Sequence, residues 1–177
     1  MSGVADLLSA LRLLLAVALP FALWRGGGLA AGLWVLAAAS DYLDGPLARR
    51  GRPTRYGGVL DNVADIVFVL GGLATAAWLG LVPWLVPGAV ALAVVDYGRA
   101  SFEASRGMVA PTLARSRVGH LAGVMNYACL GIVCARLAWP GRVAPIVLLI
   151  SELATVGLNV AAVVCRTIGR TRARPIV

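Results

Sequence analysis

Residues 40–65 read SDYLDGPLARRGRPTRYGGVLDNVAD, an island of charge in an otherwise apolar chain. Four of the protein's eight acidic residues fall inside it, Asp41, Asp44, Asp61 and Asp65, with Arg49, Arg50, Arg52 and Arg55 between the two pairs. On either side the sequence turns apolar for about 20 residues, the length at which a helix crosses a bilayer. The rest of the chain follows suit. Of 177 residues, 60% are hydrophobic and 14% charged, too few polar groups to cover a water-facing surface. Lipid must be the solvent for much of this protein.

Six spans are expected, over residues 8–24, 29–48, 57–80, 84–103, 119–138 and 142–165. The breaks between them are WRGGG, the arginine loop after Arg49, VPWLVPG, EASRGMVAPTLARSR and WPGR, all rich in glycine, proline or charge. The first apolar run has neither a basic leader nor a small-residue cleavage pattern, so it reads as a span and not as a signal. The expected fold class is all-α: a polytopic membrane protein of six transmembrane helices with a short N-terminal interfacial segment, in one domain over 1–177.

All sixteen basic residues are arginine. With both termini on one side, that side receives Arg12, Arg49, Arg50, Arg52, Arg55, Arg99, Arg106, Arg115, Arg117, Arg166, Arg170, Arg172 and Arg174, and the other only Arg25, Arg136 and Arg142. Positive charge marks the cytoplasmic face, which places both termini and the acidic island there. The net charge of +8 then reflects topology and attraction to anionic headgroups, not nucleic acid. Cys129, Cys134 and Cys165 lie in apolar runs without metal-type spacing and read as packed, reduced thiols.

Spacing gives the acids a geometry. Asp44, Gly45 and Ala48 follow Asp41 by three, four and seven positions, so all four lie on one stripe of a helix. Gly57, Asp61 and Asp65, spaced by four, form a second stripe on the next span. The short loop between the spans makes them antiparallel neighbours with facing stripes. Four carboxylates so close together cannot all stay ionised without cations between them. Oxygen ligands suit magnesium, calcium or manganese, and two such ions about 4 Å apart form a clamp for phosphoryl chemistry. Small residues on the stripes let a ligand approach the backbone, and nearby arginines meet phosphate. Taken singly, the small residues also fit helix packing and the arginines fit topology. Intramembrane acids are costly and point to function; a cation transporter is the competing use for them.

At these residues the chain resembles the CDP-alcohol phosphotransferase (CDP-alcohol phosphatidyltransferase) family, whose pattern is D-x2-D-G-x2-A-R followed by G-x3-D-x3-D. Asp41, Asp44, Gly45, Ala48 and Arg49, then Gly57, Asp61 and Asp65, fill every fixed position. The N-x2-T-x2-R that often opens the family is matched in spacing by Asp6, Ser9 and Arg12. The resemblance implies transfer of a phosphoalcohol group from a CDP-alcohol, usually CDP-diacylglycerol, to an acceptor hydroxyl, with release of CMP. It implies two divalent cations, Mg2+ or Mn2+, on Asp41, Asp44, Asp61 and Asp65, with Asp65 also the general base. Asp44, Gly45, Ala48, Arg49 and Gly57 would hold the nucleotide and pyrophosphate. The family often forms dimers, so a homodimer is an expected partner state. A non-catalytic relative is a further alternative, which the intact motif opposes.

The acceptor is less legible. DYGRASFEASRG resembles the phosphatidylinositol-phosphate synthase branch at Tyr97, Arg99, Ala100 and Glu103, while the phosphatidylglycerophosphate synthase branch is the other near relative. Arg99, Arg115 and Arg117 are the acceptor-site candidates, suited to a phosphorylated polyol such as inositol phosphate or glycerol 3-phosphate. His120 reads as an interfacial hydrogen-bonding residue, Glu152 with Asn159 as interhelical pairing, and Gly71–Gly72 as a close helix crossing.

Overall fold

The computed structural model describes residues 2–50, 57–106 and 116–173, with side chains over 10–42, 59–106 and 116–169. Six helices account for nearly all of them: α1 (Ser2–Arg25), α2 (Gly27–Arg50), α3 (Gly57–Trp78), α4 (Leu85–Ser105), α5 (Arg117–Ala138) and α6 (Pro145–Ala173). The described residues include no strand. A helix satisfies its own backbone, which is the requirement wherever water is absent.

Among the described residues, four helices are long and apolar enough to cross a membrane, over Val59–Trp78, Leu85–Ser105, Arg117–Ala138 and Pro145–Gly169. At about 1.5 Å per residue, 20 residues reach across the roughly 30 Å hydrocarbon core. No more than 39% of any of these apolar stretches is buried within the chain. The rest faces outward with Leu92, Val95, Leu121, Val124, Ile150 and Leu153 exposed, so these helices are apolar on both sides, as lipid contact requires. Two boundaries differ from expectation. The N-terminal segment is continuous with α1, which begins at Ser2, and α6 runs on to Ala173.

The helices close a ring. α1 packs on α2 and α3, α2 on α5, α5 on α6, α6 on α4, and α4 on α3, with α3 also touching α5. Among the described residues α1 packs along both α2 and α3, while α2 and α3 meet at the end that carries Asp41, Asp61 and Asp65. The reason is a fit of large to small. Leu15, Leu19 and Leu23 of α1 are buried in one core with Ala30, Ala31 and Ala37 of α2 and Phe68 and Leu73 of α3. Gly72 makes room for this: a Cβ there would stand 2.9 Å from the methyls of Leu19 and Leu130. Gly71 faces open space, so only one of the two glycines makes the predicted crossing.

The end of α3 opposite the acids turns through Gly80 at φ 72°. The Leu81 N–H donates to Ala76 O at 2.9 Å and the Gly80 N–H to Ala77 O at 3.0 Å, the two bonds that close a helix end around a left-handed glycine.

Two polar seams cross the ring. Asn126 of α5 and Asn159 of α6 are buried and exchange amide bonds, at 2.6 Å from Asn159 and 3.5 Å from Asn126. Asn159 therefore does make an interhelical pair, while Glu152 is only partly buried. On the other side of α6, Arg166 Nη1 lies 2.7 Å from Asp96 of α4 and 3.2 Å from Ala93 O. Cys129 and Cys134 are buried as expected, but Cys165 is exposed, because it falls on the outer face of α6.

Candidate active site

Asp61 and Asp65 sit one turn apart on α3, so their carboxylates leave the helix on the same side. Asp41 reaches them from α2. The three residues can each present a carboxylate oxygen such that all three lie within 4.8 Å of one another. Their side chains keep 51% (Asp41), 39% (Asp61) and 31% (Asp65) of their exposure, so an ion or substrate can reach them. The facing stripes read from the sequence are thus brought together at these three residues.

What joins them is Arg12 of α1, whose side chain is 0% exposed. Its Nη1 donates to Oδ1 of Asp65 at 2.6 Å and to Oδ1 of Asp61 at 2.8 Å. Its Nη2 lies 3.5 Å from Oδ1 of Asp41. The wedge position of α1 makes this possible: a residue on it faces α2 and α3 at once. Arginine suits the place because its charge is permanent and its fork serves several acceptors.

Beside the carboxylates opens a cavity of about 530 Å³, with Trp34, Asp41, Asn62, Asp65, His120 and Tyr127 in its wall. The wall is braced. Trp34 Nε1 donates to Tyr127 O at 3.1 Å, and the Tyr127 ring stacks on Phe68 at 5.7 Å between centroids. The Tyr127 hydroxyl is buried with no hydrogen-bond partner among the described residues. Ser116 caps α5 by accepting from the Gly119 N–H at 3.0 Å, which fixes the turn that brings Gly119 and His120 to the cavity. His120, expected at an interface, therefore also borders this space.

The other candidates divide. Asp44, Gly45, Ala48 and Arg49 belong to α2, but their side chains lie outside the described residues, as does Arg115 altogether. Gly57 is the first residue of α3. Arg99 and Arg117 are exposed and do not line the cavity. Sequence reasoning placed Arg12 among the topology charges and did not single out Trp34, Asn62 or Tyr127. The signal for Arg12 was its spacing from Asp6 and Ser9; the others carry none, because an aromatic or amide in an apolar helix looks like core or packing until its neighbours are known.

An all-oxygen donor set with this spacing fits a hard divalent cation. Asp41, Asp61 and Asp65 are the residues here that would hold one.

The family model for CDP-alcohol phosphatidyltransferase matches residues 3–168. Two relatives from Mycobacterium tuberculosis, of strains CDC 1551 / Oshkosh and ATCC 25618 / H37Rv, are each named probable phosphatidylglycerophosphate synthase. Each is 28% identical over 190 residues, covering 97% of this chain and 86% of the relative.

Proposed function

The chain belongs to the CDP-alcohol phosphatidyltransferase family, a phosphate-group transferase of phospholipid biosynthesis, and we propose that it moves the phosphatidyl group of CDP-diacylglycerol to the hydroxyl of glycerol 3-phosphate. The name of its M. tuberculosis relatives supports that acceptor over inositol phosphate. The observation that carries the chemistry is the meeting of Asp41, Asp61 and Asp65, two of which, Asp41 and Asp65, stand in the wall of a cavity.

In the proposed reaction the acceptor oxygen forms a bond to the lipid-bearing phosphorus, and the bond from that phosphorus to the CMP oxygen breaks. Asp65 takes the acceptor's proton as the new bond forms. Asp41, Asp44, Asp61 and Asp65 would hold two Mg2+ or Mn2+ ions, which when bound offset the charge developing on the phosphates. Gly45, Ala48 and Gly57 leave room for the nucleotide against the helix backbones, and Arg49 meets the pyrophosphate. Arg117 stands two and three residues before Gly119 and His120 of the cavity wall; with Arg99 and Arg115 it is the proposed contact for the acceptor phosphate. Fixed donors on helices orient the diphosphate, and the lipid-facing exterior leaves the acyl chains in the bilayer.

The same reading makes α1 and α2 transmembrane alongside the four long apolar helices. The chain is then one six-span domain, with both termini and the acids on the cytoplasmic side. The arginine asymmetry supports that orientation. A homodimer is part of the proposal.

The test is CMP release by purified protein in mixed micelles with CDP-diacylglycerol and Mg2+ or Mn2+, across glycerol 3-phosphate, inositol phosphate, inositol and serine. Release that needs metal, glycerol 3-phosphate and Asp65 is expected. Release with another acceptor alone refutes the choice of acceptor; no release with any, from folded protein, refutes the donor.

A further inference from the structure

We propose that Arg12 is a tethered counter-cation of the acidic cluster, holding Asp61 and Asp65 together in the metal-free protein and competing with a divalent cation for the same oxygens. This rests on the reading above that the cluster holds such a cation.

The geometry is specific. One nitrogen, Nη1, straddles the Oδ1 atoms of Asp61 and Asp65 at 2.8 and 2.6 Å. The second, Nη2, stands 3.5 Å from Asp41. These are the same three carboxylates that can gather their oxygens within 4.8 Å. The guanidinium is 0% exposed, so water does not share in neutralising it, and its charge cannot be discharged. It therefore depends on the carboxylates for its neutralisation. A buried charge left without its partner is strongly destabilising.

An arriving divalent cation changes both sides of that balance. It seeks the oxygens to which Nη1 already donates, and it brings a second positive charge within a few ångströms of the first. Like charges in a partly desolvated site repel strongly. Arg12 therefore weakens metal binding while it stabilises the metal-free ring, joining α1 to α2 and α3. It acts through the aspartates and is a positioning residue, not a catalytic one.

The experiment uses full-length protein in detergent, titrated with Mn2+ and followed by the electron paramagnetic resonance of the free ion, alongside melting curves with and without Mn2+. Arg12→Gln should bind Mn2+ about tenfold more tightly or better, the scale on which removing a close like charge acts. It should melt lower than the parent without metal, and saturating Mn2+ should close most of that gap. Arg12→Lys keeps the charge and should keep the parental Mn2+ affinity. Equal or weaker binding by Arg12→Gln, or an unchanged metal-free melt, overturns the proposal. If Arg12→Gln folds only with Mn2+ present, the proposal stands; if Mn2+ does not recover it, the proposal fails. No Mn2+ binding by parent or either variant removes the metal reading as well, so the two failures are distinct.

Discussion

Arg12 Nη1 lies 2.6 Å from Oδ1 of Asp65, a contact between helices whose two residues stand 53 positions apart in the chain. The pair is therefore both a tertiary tie and part of the proposed reaction centre. Asp65→Asn separates these roles. The amide oxygen can still accept from Arg12, and Asp41 and Asp61 remain to balance its charge, so melting should shift little. CMP release should fall about 10²–10⁴-fold, the usual contribution of a positioned base. A large loss of stability with activity retained would refute the assignment.

Asp61→Asn tests the metal role by contrast. Here the proposed base is intact and one ion ligand is weakened. Activity should fall at low Mn2+ and recover in part as Mn2+ rises, whereas the Asp65→Asn loss should persist. The comparison is a metal titration of CMP release for both variants.

Gly71 and Gly72 should respond oppositely to enlargement. Leucine at Gly72 has to displace Leu19 and Leu130 and should cost about 1–3 kcal/mol, the range for overpacking. Leucine at Gly71 meets open space and should leave stability unchanged or slightly higher. Denaturation of each variant in detergent reads the difference directly.

Asn159→Leu strands the Asn126 amide inside the α5–α6 seam. The expected loss is about 1 kcal/mol, in line with interhelical hydrogen bonds between membrane helices. The double variant Asn126→Leu/Asn159→Leu should recover most of it, since no buried amide is then left unpaired. A double-mutant cycle by reversible denaturation checks this.

Arg166 and Asp96 form a part-buried ion pair between α6 and α4, with side-chain exposures of 11% and 12%. Removing the acid alone, Asp96→Leu, leaves Arg166 with Ala93 O and no carboxylate in place of Asp96, and should cost about 1–3 kcal/mol, below the range for a fully buried pair. Arg166→Met added to it should restore much of the stability. If the single variant is as stable as the parent, the pair does not hold α4 to α6.

The acidic stripes, the six helices and the breaks between them were legible because each depends on local properties: spacing along one helix, apolar length, and turn residues such as those of VPWLVPG. The pairing of helices was not. Loop length suggested that α2 meets α3, but connection does not show that α1 packs along both, its Leu15, Leu19 and Leu23 in one core with the alanines of α2 and with Phe68 and Leu73 of α3. For the same reason Arg12 looked like a boundary charge. An arginine near the start of an apolar run is usually at an interface, and only the placement of α1 buries this one among three carboxylates. Tyr127 and Trp34 give no chemical sign in the sequence; they become part of a cavity wall only when α5 closes on α2.

The sequence alone determined that the chain is helical and lipid-facing, since composition and run length set its solvent, and that its acids lie on two stripes, since helical period sets direction. The tertiary structure decided that α1 packs along both helices bearing those stripes, and that the bridge between them is a buried guanidinium. That choice follows from side-chain volumes and charges on faces distant in the chain, which become neighbours only when the ring closes.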